Sequence, residues 1–136
     1  MRQKFSVVTR QLVATRANFR CEYCRKPDLT ANFSFHVEHI ISRQHSGSDH
    51  PDNLAYACSY CNWEKGPNIG TLLSEGGPII PLFHPRKDQW FEHFTVEAGA
   101  IYPLTEIGKG TIHLLDFNAV ERILERKELV EAGVYP

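Results

Sequence analysis

The chain has 136 residues, with 15 Lys plus Arg against 16 Asp plus Glu, 7 His and 4 Cys. A folded chain of this length suits one compact domain and buries roughly two-thirds of its unfolded surface, so it needs no disulfides to fold. With 42% apolar and 23% charged residues it is neither a disordered tract, a collagen nor a simple coiled coil.

The net charge of -1 argues at first against a polyanionic partner, but the charge is unevenly spread. Residues 1–65 carry 9 basic and 6 acidic side chains, net +3, and residues 66–136 carry 6 and 10, net -4. Local fields steer association, so an acidic second half does not cancel a basic first half. Val7, Val8, Leu12 and Val13 are interrupted by Thr9, Arg10 and Gln11, which leaves no secretory core. No apolar run approaches the roughly 18 residues that cross a bilayer. The expected setting is cytoplasmic with no membrane partner, and in a reducing compartment paired cysteines hold metal more often than they form disulfides.

In chain order, residues 6–18 read as a helix capped by Ser6, with Val8, Leu12 and Thr15 at helical spacing. A turn carrying Cys21 and Cys24 follows. The alternation from Phe33 to Val37 predicts a strand ending near His39. Residues 42–52 form a polar loop of a length that is often functional. Leu54 to Ala57 is a second strand, and Cys58 to Cys61 turns into a short helix stopping near Gly66 and Pro67. Gly76, Gly77 and Pro78 mark a turn, and Phe94–Val96 and Ala100–Tyr102 pair across Gly99. A weak helix spans Thr105 to Leu115. A clearer one, Ala119 to Ala132, is capped by Asn118 and has Val120, Ile123, Leu124 and Val130 on one side. Trp63, Trp90, Phe91 and Phe94 read as core or clamp residues. His45 and His50 read as loop residues, and His84, His93 and His113 as packing or surface residues.

Cys21-x-x-Cys24 and Cys58-x-x-Cys61 are two knuckles 33 residues apart. Each offers two thiolates from one turn, and together they complete the four-sulfur shell of structural Zn²⁺. A redox pair would explain only one knuckle, and two disulfides do not suit the cytosol. Such a zinc would contribute on the order of 10 kcal/mol of apparent folding free energy. It would leave no open coordination position, so any chemistry lies elsewhere.

Between the knuckles run His36-Val-Glu38-His39, then Asn53-Leu54, then Asn62-Trp-Glu-Lys65-Gly66. Singly these are ordinary polar residues. In this order they make a ββα unit with polar groups converging at one end, and here the chain resembles the HNH endonuclease family of ββα-metal (His-Me finger) nucleases. The resemblance covers Phe19 to Gly66. The stretch Pro81 to Phe94 is similar to an extension in one bacterial branch of that family.

The resemblance implies an α+β fold. Its small ββα-metal core is stapled by a four-cysteine zinc site, with flanking helices and a C-terminal hairpin and helix extension. The domain would be single, spanning 1–136, with its core at about 19–66 and the extension at 67–136. It further implies a bacterial endonuclease that hydrolyses phosphodiester bonds in DNA, RNA not excluded, acting as monomer or homodimer.

His39 matches the general base, imidazole being the side chain that exchanges a proton near neutral pH. Glu38 matches the adjacent ligand of a catalytic divalent ion, and Asn53 the residue that holds the loop and orients His39. Asn62 stands where many members have a final His, and its amide oxygen with the Glu38 carboxylate favours Mg²⁺ or Mn²⁺. His36 is a further candidate ligand. Arg43 and Lys65 are candidate phosphate contacts. The alternative is a zinc-stabilised nucleic-acid-binding module without cleavage.

Overall fold

The computed structural model describes residues 5–29 and 34–136. Phe33, the expected start of the first strand, lies outside them. Helix α1 (Val7–Arg16) begins where expected, because the Ser6 hydroxyl accepts the Thr9 N–H at 3.1 Å. Its buried positions are Val13 and Ala14, whereas Val8 is 74% exposed and Leu12 is also exposed. The expected Val8–Leu12 stripe is therefore not the packed face. Two arginines dock the helix instead: Arg10 donates to the Phe35 carbonyl at 2.9 Å and Arg16 to the Leu54 carbonyl at 2.8 Å.

Strands β1 (His36–His39) and β2 (Leu54–Ala57) pair antiparallel, with His36 opposite Ala57 and His39 opposite Leu54. The connecting loop contains two short 3₁₀ turns, Arg43–His45 and Pro51–Asn53. Helix α2 (Ser59–Lys65) follows directly, with the Cys58 sulfur as its cap acceptor and Gly66 ending it at a positive φ of 51°. All four positions of β2 are buried because the first knuckle lies along it: the Glu22 N–H donates to the Tyr56 carbonyl, and the Glu22 carboxylate accepts the Tyr56 N–H, both at 2.8 Å.

The remaining elements wrap this unit. β3 (Gly70–Leu72) and β4 (Ile79–Pro81) form a hairpin around the expected Gly76–Pro78 turn. A short helix α3 (Trp90–His93) leads into the hairpin of β5 (Phe94–Glu97) and β6 (Ala100–Pro103), then α4 (Glu106–Leu114) and α5 (Val120–Glu131). Trp90, Phe94 and Phe117 stack in the core, and the Trp90 indole N–H reaches the Tyr23 carbonyl at 2.7 Å. Trp63 and Phe91, expected as core or clamp residues, are exposed and so not in the core. Gly108 is required in α4: a β-carbon there would sit 2.2 Å from the His93 carbonyl oxygen, so glycine lets the helix close on α3.

Helix α5 departs most from expectation. Its buried residues are Arg122 and Arg126, while Val120, Leu124 and Val130 are exposed. Asn118 does not cap it: its side-chain amide exchanges two bonds with the Ile101 backbone, and Ala119 takes the cap position. Arg126 donates to the Gly99 and Phe117 carbonyls, so a guanidinium fills the role that an apolar stripe was expected to play. At the chain end, the Tyr135 hydroxyl donates to the Cys24 carbonyl at 2.7 Å, latching the C-terminal segment onto the first knuckle.

Candidate metal centre and polar loop site

The β1–β2 hairpin has polar chemistry at both ends. At the Ala57 end, Cys21, Cys24, Cys58 and Cys61 are all buried, with their sulfurs within 4.8 Å of one another. Four Zn–S bonds of about 2.3 Å imply a tetrahedral edge of about 3.8 Å, and the Cys24 and Cys58 sulfurs are 3.8 Å apart. That spacing is far outside a disulfide bond of about 2.05 Å. The set fits a zinc ion.

Electrostatics point the same way. Burial pushes the Cys21 and Cys61 thiols well up, while hydrogen bonds from neighbouring sulfurs, that of Cys21 foremost, hold Cys24 and Cys58 down. The four cannot all ionise in a dry site without a cation among them. Arg122 supports the sulfurs from α5, donating to the Cys61 sulfur at 3.0 Å. Burial works to lower its pKa, but Cys61 and Cys24 outweigh that and keep it raised.

At the loop end, His39 closes β1 with its side chain 17% exposed. Its Nε2 lies 2.7 Å from the Asp49 carboxylate, whose other oxygen accepts from Arg43 at 2.7 Å. The Phe5 ring lies 5.5 Å from the imidazole. In the neutral ring, with Asp49 ionised, Nε2 carries the hydrogen and Nδ1 the lone pair. Asn53 holds the loop: its Oδ1 accepts from the Ile41 N–H at 2.9 Å, and its Nδ2 donates to the Ile41 and Ser48 carbonyls at 2.9 and 2.8 Å. Gly47 is needed there because a β-carbon would collide with the Ile41 carbonyl oxygen at 1.7 Å.

Glu38 lies between these ends and is committed inward. One carboxylate oxygen accepts from the Tyr23 hydroxyl and the other from Lys65 at 3.1 Å. Burial raises the Glu38 pKa, with Lys65 and Tyr23 working against that rise; burial and then Glu38 hold the Tyr23 hydroxyl well up, as a donor. Lys65 was expected at phosphate, yet it is 1% exposed and also donates to the His39 carbonyl at 3.1 Å. Arg43, the other expected phosphate contact, is exposed.

Asn62 is half-buried on α2, with no side-chain hydrogen bond among the described residues. His36 pairs through Nε2 with the Ser59 hydroxyl at 3.0 Å. The four cysteines form the single cluster of three or more His, Cys, Asp or Glu ligand groups among the described residues. With both Glu38 oxygens engaged and an ammonium beside one of them, His36, Glu38 and Asn62 as arranged do not fit a divalent ion.

Sequence reasoning missed Asp49, Tyr23 and Arg122. Tyr23 lies inside the first knuckle, where a buried aromatic donor was the available signal. Asp49 lies ten residues beyond His39 in a polar loop, and Arg122 is 61 residues from Cys61, so nothing local marked either.

A short antiparallel hairpin followed by a helix, with two cysteine knuckles closing one metal centre, defines a zinc-knuckle ββα unit. Residues 21–68 match the family model described as HNH endonuclease. No curated protein and no solved structure matches the chain.

Proposed function

We propose that the chain is an HNH-type nuclease that hydrolyses phosphodiester bonds in DNA, with His39 as general base. The observation that carries this is the His39–Asp49 contact at the loop end: in the neutral ring it directs the Nδ1 lone pair away from Asp49 on a partly exposed side chain, next to a loop clamped by Asn53. In the reaction, His39 takes a proton from water as the new P–O bond forms, and the bond to the leaving oxygen breaks in line, that oxygen gaining a proton from solvent. Arg43, exposed and steered by Asp49, offers a guanidinium to the phosphate. An ion of Mg²⁺ or Mn²⁺ on Glu38 and Asn62 would compete with Lys65 and Tyr23 for the carboxylate.

His39→Ala should lower cleavage by about 10²–10⁴-fold while zinc content and thermal unfolding stay near wild type. The assay uses supercoiled, linear, branched and single-stranded DNA with Mg²⁺ or Mn²⁺. Wild-type inactivity on every form, with no change on His39→Ala, sinks the reading.

One observation favours a second reading, a nucleic-acid-binding module that does not cleave: the Lys65 ammonium stands 3.1 Å from Glu38, where a catalytic cation was expected. The DNA panel separates the two, because the module binds DNA with salt-sensitive affinity and leaves every form uncut, wild type and His39→Ala alike.

A further inference from the structure

Four arginines gather beside the first knuckle. Arg16 ends α1, Arg20 and Arg25 flank the knuckle, and Arg86 comes from the loop after β4. Arg16, Arg20 and Arg25 line a cavity of about 220 Å³ together with Asn18 and Gln89. The acidic groups on its wall are Glu22 and Asp88, and Asp52 acts on Arg16 from nearby. Glu22 already accepts from Arg86 and from the Tyr56 N–H, and Asp88 accepts from the His84 N–H at 2.9 Å. Three cations therefore line the cavity beside two carboxylates that have other partners, Arg86 being the partner of Glu22.

The arginines are only partly satisfied. The Nε atoms of Arg16, Arg25 and Arg86 are buried with no acceptor among the described residues. A buried donor without an acceptor costs about 1–3 kcal/mol, more when charged, and calls for an explanation such as an ion. Burial, then repulsion from Arg16, pulls the Arg86 pKa down to about 10; burial and Arg20 also lower that of Arg25. Like charges held together around a polar cavity, with donors left over, match the requirements of an anion.

We propose that this cavity binds a phosphate group, supplied either by a nucleic-acid backbone or as free phosphate. Guanidinium groups favour phosphate through paired N–H donors and weak hydration. The backbone source rests on the nuclease reading and is supported by two features. Arg16 donates to the Leu54 carbonyl, and Leu54 is the residue opposite His39 in the hairpin, so the cavity adjoins the strand that backs the loop site. Arg25 lies 5.0 Å from the ring of Phe91, which is 57% exposed, and a cation beside an exposed ring is the pairing that holds single-stranded nucleic acid.

The test uses the full zinc-loaded chain with no added Mg²⁺ or Mn²⁺, so that binding is read apart from cleavage. The probes are inorganic phosphate, compared with chloride at equal ionic strength, and a fluorescein-labelled single-stranded DNA oligonucleotide. Arg25→Gln is the main variant, because the guanidinium of Arg25 touches rings more than it supports backbone; Arg25→Lys keeps the charge.

Phosphate should raise the thermal midpoint of the wild type and not of Arg25→Gln. For the oligonucleotide, Arg25→Gln should weaken binding about 3–10-fold and make the slope of log K against log salt shallower by about one. Arg25→Lys should recover part of both. Loss of the phosphate response with unchanged oligonucleotide binding assigns the site to free phosphate. Phosphate protection of Arg16 and Arg25 against phenylglyoxal, read by peptide mass, tests the wild type without any variant. No phosphate response beyond chloride, no protection, and equal oligonucleotide binding by wild type and Arg25→Gln overturn the proposal, whether or not the chain cleaves DNA through His39.

Discussion

The two ends of the β1–β2 hairpin solve opposite problems with the same four-residue strands. At the Ala57 end the ligand groups are soft, dry and sealed, with Arg122 donating to Cys61 from a helix more than sixty residues away. At the His39 end the groups are hard and wet: the His39–Asp49–Arg43 chain is part-exposed, and the loop is held by one asparagine. Metal binding at the closed end can supply folding free energy, which leaves the open end free to carry polar groups that contribute little to stability. The Glu38–Lys65 pair lies between them and belongs energetically to the closed end, since it is buried as the cysteines are.

Breaking the closed end should have the largest effect. Cys58→Ala, or removal of zinc with a chelator, should cost on the order of 10 kcal/mol of apparent folding free energy and leave an unfolded chain. Circular dichroism beside zinc content reads this directly. A chain that keeps its fold without metal would show that the apolar core, and not the cysteine centre, carries the stability.

The next effect tests where the middle pair belongs. Lys65→Met strands the buried Glu38 carboxylate and should cost about 3–5 kcal/mol by urea unfolding near neutral pH. Its pH dependence has a definite sign. Glu38 has a raised pKa in the folded state, so its contribution is intact below the unfolded carboxylate value of 4.5 and is lost as pH rises through the raised folded value. Without Lys65 that rise is larger. The Lys65→Met penalty should therefore shrink as pH is lowered and Glu38 takes up a proton. A penalty under about 1 kcal/mol at neutral pH would assign the pair to the wet end.

These contrasts also explain what was legible in the amino-acid order. Ser6, the two knuckles, Leu54–Ala57 and Gly66 were readable because each acts within a few residues: a cap, a chelating turn, a β-rich run, a helix stop. The buried face of α5 was not. Periodicity selects Val120, Leu124 and Val130, whereas Arg122 and Arg126 go inward for partners at Cys61, Gly99 and Phe117 that no local pattern contains. Glu38 and Lys65 were assigned to metal and phosphate from their motif positions. Their mutual pairing spans 27 residues and appears only when β1 and α2 pack. The β3–β4 hairpin escaped because Gly70 and Pro81 are poor strand residues at its ends.

The smallest effect on stability, and the sharpest test of the open end, comes from Asp49. Its bonds to His39 and Arg43 are half-exposed, so Asp49→Asn should change stability by no more than about 1 kcal/mol. Its effect on chemistry should be disproportionate. A carboxylate can only accept, which fixes the hydrogen on Nε2 of His39, whereas an amide can turn its NH₂ toward the ring and reverse the tautomer, moving the lone pair from Nδ1 to Nε2. If Nδ1 is the base, cleavage should fall about 10-fold or more, with the thermal midpoint and zinc content unchanged, and Asp49→Glu should recover part of it. Equal losses of stability and activity would make Asp49 a strut for the loop. Full activity in Asp49→Asn would show that Asn53 and the loop backbone alone orient the imidazole.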